Sequence, residues 1–339
     1  MTLAPLSLRV GGPRPSSKRG HIVGAGALAL LALCGCGGGA HRRAAGGVPA
    51  PTTTSAAPVH VSHPKPAPPS YPRLLSGALG SQPTPGFIPA VSSDGQTAAW
   101  IARAPSTVSL LSFDQRLVEL HLHSGTIDAG SAGWRFGPAV SSAERSQLVA
   151  AFNGGFKFSA GAGGFESYGR TAVPLRNGLG SIVTYADGST DIGSWHQEVP
   201  TYGKQVVSVR QNLPLLIDHG ASAPNVGCRS CWGATLGGVR DPARAGLGIT
   251  TDGRLVWAGG EHLTVAALAD ALLAARVVRA VELDINPEWV AAYLYGHRGG
   301  HGPLAPVPIV LGQQGIPGQF LTPWNRDFFT IVARRAPSS

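Results

Sequence analysis

The chain has 339 residues and a formal net charge of +9, but that excess belongs to its beginning: up to Arg73 there are 8 basic residues and no acidic one, and from Leu74 onward 19 basic residues face 18 acidic ones. A nearly neutral folded part argues against a nucleic-acid binder, which carries a basic patch on its folded domain. The length accommodates one large domain or two small ones once the ends are discounted.

Arg14, Lys18, Arg19 and His21 precede an uncharged apolar run from Ile22 to Leu33. Twelve residues are too few to span a bilayer comfortably and suit the apolar region of an export signal. Leu33-Cys34-Gly35-Cys36 then reads as a bacterial lipobox that ends an export signal of residues 1–36, with an aliphatic residue at −3, a small one at −1 and Cys36 as the lipidated position; an ordinary cleaved signal or an uncleaved anchor is the alternative. Residues 37–85 are mostly Gly, Ala, Pro, Ser and Thr. Such a composition buries too little apolar surface to offset chain entropy, which predicts a disordered tether. A lipid, a tether and a domain would place the protein on the outer face of the cytoplasmic membrane, reaching into the cell envelope.

From residue 86 to 335 short strand patterns alternate with turn signals. Thr97–Arg103, Thr107–Phe113 and Arg116–His123 read as successive strands. Ser141-x-x-Glu144 is a capping box opening a short helix through about Leu148, and Leu148–Phe152 is an apolar strand ending at Asn153-Gly154-Gly155. Asp187-Gly188 and Asp252-Gly253 mark two hairpins. Thr264 caps the clearest helix, Val265–Arg276, and Phe328–Val332 is a closing strand. Strands dominate and helices are few, so the predicted class is α+β: a single domain on a mixed, largely antiparallel sheet with a few inserted helices. In an exported protein, Cys228-Arg229-Ser230-Cys231 among Pro, Asn and Gly reads as a small disulfide pinning a loop rather than a zinc half-site. His297 and His301 sit among glycines that oppose a helix, so they are assigned to a loop and no metal site is expected there.

Val278–Trp289 (VRAVELDINPEW) is the segment richest in chemistry. It reads as a strand carrying Glu282 and Asp284 and breaking at Asn286-Pro287. Side chains two apart on a strand share a face, roughly 7 Å apart along the backbone. Two acids are costly to bury unpaired, so they are expected to face a cleft, a cation or a cationic side chain.

Three segments in order resemble the phosphodiester glycosidase family, whose animal members remove N-acetylglucosamine from a phosphodiester. They are Ala151-Phe152-Asn153-Gly154-Gly155-Phe156, Arg244-Ala245-Gly246-Leu247-Gly248 with the hairpin at Asp252-Gly253, and the helix from Thr264 with Val281-Glu282-Leu283-Asp284. In the last the family reads Asn-Leu-Asp-Gly-Gly-Gly-Ser; here Glu282 stands for Asn and Ile285-Asn286-Pro287 for glycines. Pro287 has no N–H and Ile285 resists positive φ, which argues against a phosphate cradle of backbone amides. The resemblance implies an exported hydrolase of glycosyl phosphodiester linkages in envelope glycopolymers. Asp284 would be the main catalytic carboxylate with Glu282 its partner, and Asn153, Gly154, Gly155, Arg244 and Asn286 would bind substrate. A divalent cation near Glu282 and Asp284 would relieve the repulsion between two acids and an anionic substrate. Three other readings stay open: a glycan-binding lipoprotein of the same fold without catalysis, a peptidoglycan-modifying glycosidase using Glu282 and Asp284 with a cation, and a buried structural ion pair between Arg244 and the acids. Trp289 is read as an apolar cap, Lys157 as a surface lysine, and Glu166 and Tyr168 as part of a variable flap.

Overall fold

A computed structural model describes residues 71–80, 82, 84, 86–103, 108–233 and 235–334. The expected export signal with Cys36 and most of the expected tether lie outside the described residues. These fall within one compact unit. Near the start of the described residues Arg73–Leu74 pairs with Ser92 and Val91, and Leu74 and Ala78 are buried.

Three sheets make up the unit, and every ladder between named strands is antiparallel. The expected single mixed sheet is therefore corrected to three open antiparallel ones, with more β than the predicted class implied. The largest has nine strands, among them Gln96–Arg103, Ser109–Phe113, Leu255–Gly260, Arg244–Thr250 and Val277–Glu282, in that spatial order. A second sheet orders Leu304–Pro308, Ala292–His297, Leu148–Asn153, Phe328–Ala333 and Val118–His123. The third orders Thr190–Ser194, Gly180–Tyr185, Val206–Gln211, Phe165–Ser167 and Arg170–Val173. Nine of the nineteen strands among the described residues have no counterpart in the sequence reading, including Val206–Gln211 and Ala292–His297.

Local chemistry accounts for the elements that were expected. Ser141 Oγ accepts from the Glu144 amide while the Glu144 carboxylate reaches back to Ser141, a complete capping box, although the helix spans only Ser142–Arg145. Thr264 accepts from the Ala267 amide at 3.1 Å and starts the helix Val265–Ala274. Val265, Leu268, Ala269 and Leu272 form its buried stripe, packed with Val256, Val277 and Ala280 of the large sheet. Trp257, Phe152, Phe113 and Phe329 share the main core, and each such side chain stabilises the fold by roughly 1.5–3 kcal/mol when fully buried. The ends of all three sheets meet around residues 153–156, 210–212, 282–286 and 326–327, and the candidate site lies there.

Candidate active site

Glu282 is the last residue of its strand and stands opposite Gly246 in the ladder. Arg244, two residues from Gly246 on the neighbouring strand, is thus its diagonal cross-strand neighbour, within reach of a long side chain. Its Nη1 donates to Glu282 Oε1 at 2.5 Å and to the Trp232 carbonyl at 3.0 Å, and its Nε donates to the Leu263 carbonyl at 3.1 Å. Both side chains are buried. Burial pushes the Glu282 carboxyl well above its ordinary value, against the pull of Arg244. The pair ties two strands to the segment before the long helix, and neither residue lines the cleft described below.

Asp284 takes another path. The amide of Leu283 still bonds Ala245 of the large sheet at 2.8 Å, but the Asp284 amide bonds the Gly154 carbonyl at 3.0 Å, at the end of a strand of the second sheet. The ladder ends at Glu282, so the alternation that would hold both acids against one partner ends with it. The expected side-by-side pair is corrected accordingly: Glu282 meets Arg244, and Asp284 meets Arg326.

Arg326 Nη1 lies 2.9 Å from Asp284 Oδ2 and its Nε 2.6 Å from Asp128 Oδ2, close ionic contacts whose angles do not form aligned hydrogen bonds. Its Nη2 donates to the Gly155 carbonyl at 3.0 Å. Asp284 Oδ1 accepts from the Ile285 amide at 2.9 Å. Burial raises the Asp284 carboxyl to about 7 in spite of Arg326. Asn153 Nδ2 contacts the Asp284 carbonyl at 3.4 Å, while Asn153 Oδ1 is buried without a hydrogen-bond partner.

Beside this group, Arg210 and Asp327 form a fully buried ion pair, Nε to Oδ2 at 2.7 Å. The two glycines of Asn153-Gly154-Gly155 are shaped by it. A Cβ on Gly154 would lie 2.3 Å from Asp327 Oδ2, and one on Gly155 would lie 2.4 Å from Arg210 Cζ. The Gly155 amide donates to Asp327 Oδ2 at 3.0 Å and the Gly154 amide to the Asp327 carbonyl at 3.1 Å. Both amides are bonded inside the fold, and both glycines are points of close packing.

A cleft of about 420 Å³ opens onto Asp284, lined also by Lys157, Asn286, Trp289, Phe156 and Ser230. Lys157 Nζ stands 5.0 Å from the Trp289 ring centroid, and Arg326 Cζ stands 5.2 Å from the same centroid. Trp289 Nε1 and Asp284 Oδ2 have no hydrogen-bond partner. Lys157 and Trp289, read from sequence as surface and cap, are therefore cleft residues. Asn286 takes φ 86°, a left-handed conformation that Asn tolerates, and its carbonyl accepts from the amides of Trp289 and Val290, each at 3.1 Å. The disulfide Cys228–Cys231 is formed, and Cys231 adds to the cleft wall.

Of the residues singled out by sequence, Asp284 and Asn286 line the cleft, Asn153 underlies Asp284, and Arg244 and Glu282 pair elsewhere. The sequence reading missed Arg326, Asp327, Arg210 and Asp128. Two adjacent charges, Arg326-Asp327, directly before the apolar strand Phe328–Ala333 were the available signal. Among the described residues one group of three side chains could hold a metal ion, Glu198, Asp218 and His219, and it does not include Glu282 or Asp284.

No protein-family profile matches the sequence, and neither does any curated protein. Among solved structures the chain resembles the catalytic domain of zebrafish N-acetylglucosamine-1-phosphodiester alpha-N-acetylglucosaminidase, auto-inhibited by its pro-peptide, at 15% identity and a TM-score of 0.41 over 74% of this chain and 81% of that one. It also resembles a hypothetical protein from Synechocystis at 12% identity and a TM-score of 0.39 over 72% of this chain and 65% of that one. The relationship is a distant one of fold and assigns no activity. No helix among the described residues is long and apolar enough to cross a membrane.

Proposed function

We propose that this chain is an exported, lipid-anchored hydrolase of glycosyl phosphodiester linkages in cell-envelope glycopolymers, with Asp284 as its catalytic base. One observation carries the reading: a buried carboxylate raised to about 7, held against Arg326 at 2.9 Å, lines a cleft that also holds Lys157 and Trp289. A base with a pKa near the working pH is matched to proton abstraction from water. Lys157 supplies the positive charge for a phosphodiester anion, and the Trp289 ring supplies a face for a sugar.

In this reaction water bonds to the sugar C1, the bond from C1 to the phosphate oxygen breaks with its electron pair, and the phosphomonoester departs. The proton of the water passes to Asp284. A phosphate leaving group is already anionic and stable, so no second carboxyl acid is required, in keeping with Glu282 being committed to Arg244. Arg326 and Asn153 act as positioning residues, holding Asp284 from behind. Export, lipidation at Cys36 and the envelope location rest on the sequence of residues 1–36.

The test is a sugar-1-phosphate diester incubated with purified protein, with free sugar and phosphomonoester resolved by chromatography. Turnover by the wild type that disappears in Asp284→Asn is the expected result. Glycan binding without turnover, unchanged in Asp284→Asn, would replace the hydrolase with a binding protein.

A further inference from the structure

A second cleft, of about 690 Å³, shares no lining residue with the first. His121 and His123 lie two apart on the strand Val118–His123, and each brings a ring nitrogen to Glu144 Oε1, at 3.1 and 3.2 Å. Glu144 is held in place by its capping box with Ser141. The His121 ring stacks on Phe136 with centroids 4.2 Å apart, and Phe136 meets Tyr168 edge to face at 5.9 Å. Tyr168 is 48% exposed. Two aromatic rings thus stand beside a set of hydrogen-bonding groups, Ser141, Gln147 and His121, in one open concavity.

The charge in this cleft is uneven. Glu119 pairs with Arg334 at 3.0 Å, and Glu144 is paired with both histidines. Arg135 has no carboxylate partner among the described residues; its guanidinium lies 5.7 Å from the Phe136 centroid and 5.1 Å from that of Tyr168. Burial lowers the His121 pKa, but Glu119 and Glu144 outweigh it and hold the ring above its ordinary value.

We propose that this cleft is a second ligand site, which binds an acidic saccharide with its sugar face on Tyr168 and Phe136 and its acid group on Arg135. A sugar ring offers C–H faces to aromatic side chains and hydroxyls to polar ones, the pairing that the cleft provides. Arg135 selects a carboxylate or phosphate by charge and by its planar donors. Glu119 and Glu144 in the wall oppose a polyanion, so the site takes a saccharide with sparse acid groups. Neither Tyr168 nor Arg135 belongs to the Asp284 cleft, so the proposal stands whether or not that cleft hydrolyses anything.

The experiment is calorimetric titration of the purified protein with three probes: a uronate-bearing hexasaccharide, its carboxyl-reduced counterpart and a maltose phosphomonoester. Saturable binding of an acidic probe, at least tenfold tighter than the reduced one, is expected, and the tighter of the two acidic probes identifies carboxylate or phosphate as the preferred group. Arg135→Ala should remove that tenfold preference, Tyr168→Ala should weaken every probe, and Asp284→Asn should change none. Both test side chains are exposed, so the variants are expected to fold, which circular dichroism checks. Absence of binding, equal affinity for the reduced probe, or affinities unmoved by Arg135→Ala and Tyr168→Ala would overturn the proposal.

Discussion

Asp284→Asn separates a working carboxylate from a structural one through stability alone. Burial raises this carboxyl from 3.8 to about 7. Below about pH 4 the folded and unfolded chains both hold the proton, and the shift makes no difference to stability. Between about pH 4 and 7 the unfolded chain releases the proton while the folded chain keeps it, so stability falls as pH rises. Above about pH 7 the loss is complete and constant. At about 1.36 kcal/mol per pH unit, the separation costs the wild type about 4 kcal/mol. Asparagine mimics the neutral acid and escapes this loss, so its stability relative to the wild type should improve by about 4 kcal/mol between pH 4 and pH 8. Urea unfolding at pH 4, 6 and 8 measures it: with a slope of about 3 kcal/mol per molar, the midpoints should diverge by roughly 1 M in favour of the variant. A wild type that instead gains on the variant as pH rises would show a carboxylate locked to Arg326 with a depressed pKa. The reasoning that makes Asp284 a base would then be refuted.

Turnover of a sugar-1-phosphate diester should rise through about pH 7, as Asp284 becomes ionised; a rate that falls through that point would assign it the role of an acid. Arg244→Met should cost about 3–5 kcal/mol in urea unfolding, because it strands the buried Glu282 and two carbonyls; a fully stable variant with lost turnover would return Arg244 to the substrate. Gly155→Ala should lose about 1–3 kcal/mol or more, visible in thermal melting, because its Cβ would fall 2.4 Å from Arg210 Cζ. Lys157→Ala should raise KM for the diester about tenfold with little change in kcat, as expected for loss of uniform binding.

Much of the scaffold is legible in the sequence because its determinants are local. The Ser141–Glu144 capping box, the Thr264 cap and the turns at Asp187-Gly188 and Asp252-Gly253 each depend on residues a few positions apart. The site is less legible because its partners are distant in the chain. Nothing near Asp284 announces Arg326, and nothing near Asn153-Gly154-Gly155 announces the Arg210–Asp327 pair that excludes side chains at both glycines. The strand pattern through Val281-Glu282-Leu283-Asp284 placed both acids on one face, yet a single hydrogen bond from the Asp284 amide to Gly154 moves the second acid to another sheet's partner. The division into three sheets depends on the same non-local pairing, which short alternating patterns do not encode.

The left-handed turn at Asn286 uncouples the shape of this loop from its chemistry. Asn286 holds φ at 86° on the path of the chain from Asp284 to Trp289, and the same residue forms part of the cleft wall. A side chain exchanged there for another that tolerates this conformation alters the cleft wall while the backbone that carries Asp284 keeps its course. Position 286, exchanged among Asn, Asp and Gly, is therefore the place to vary this wall, while Ile285, packed with Phe156 and Ala162, stays fixed.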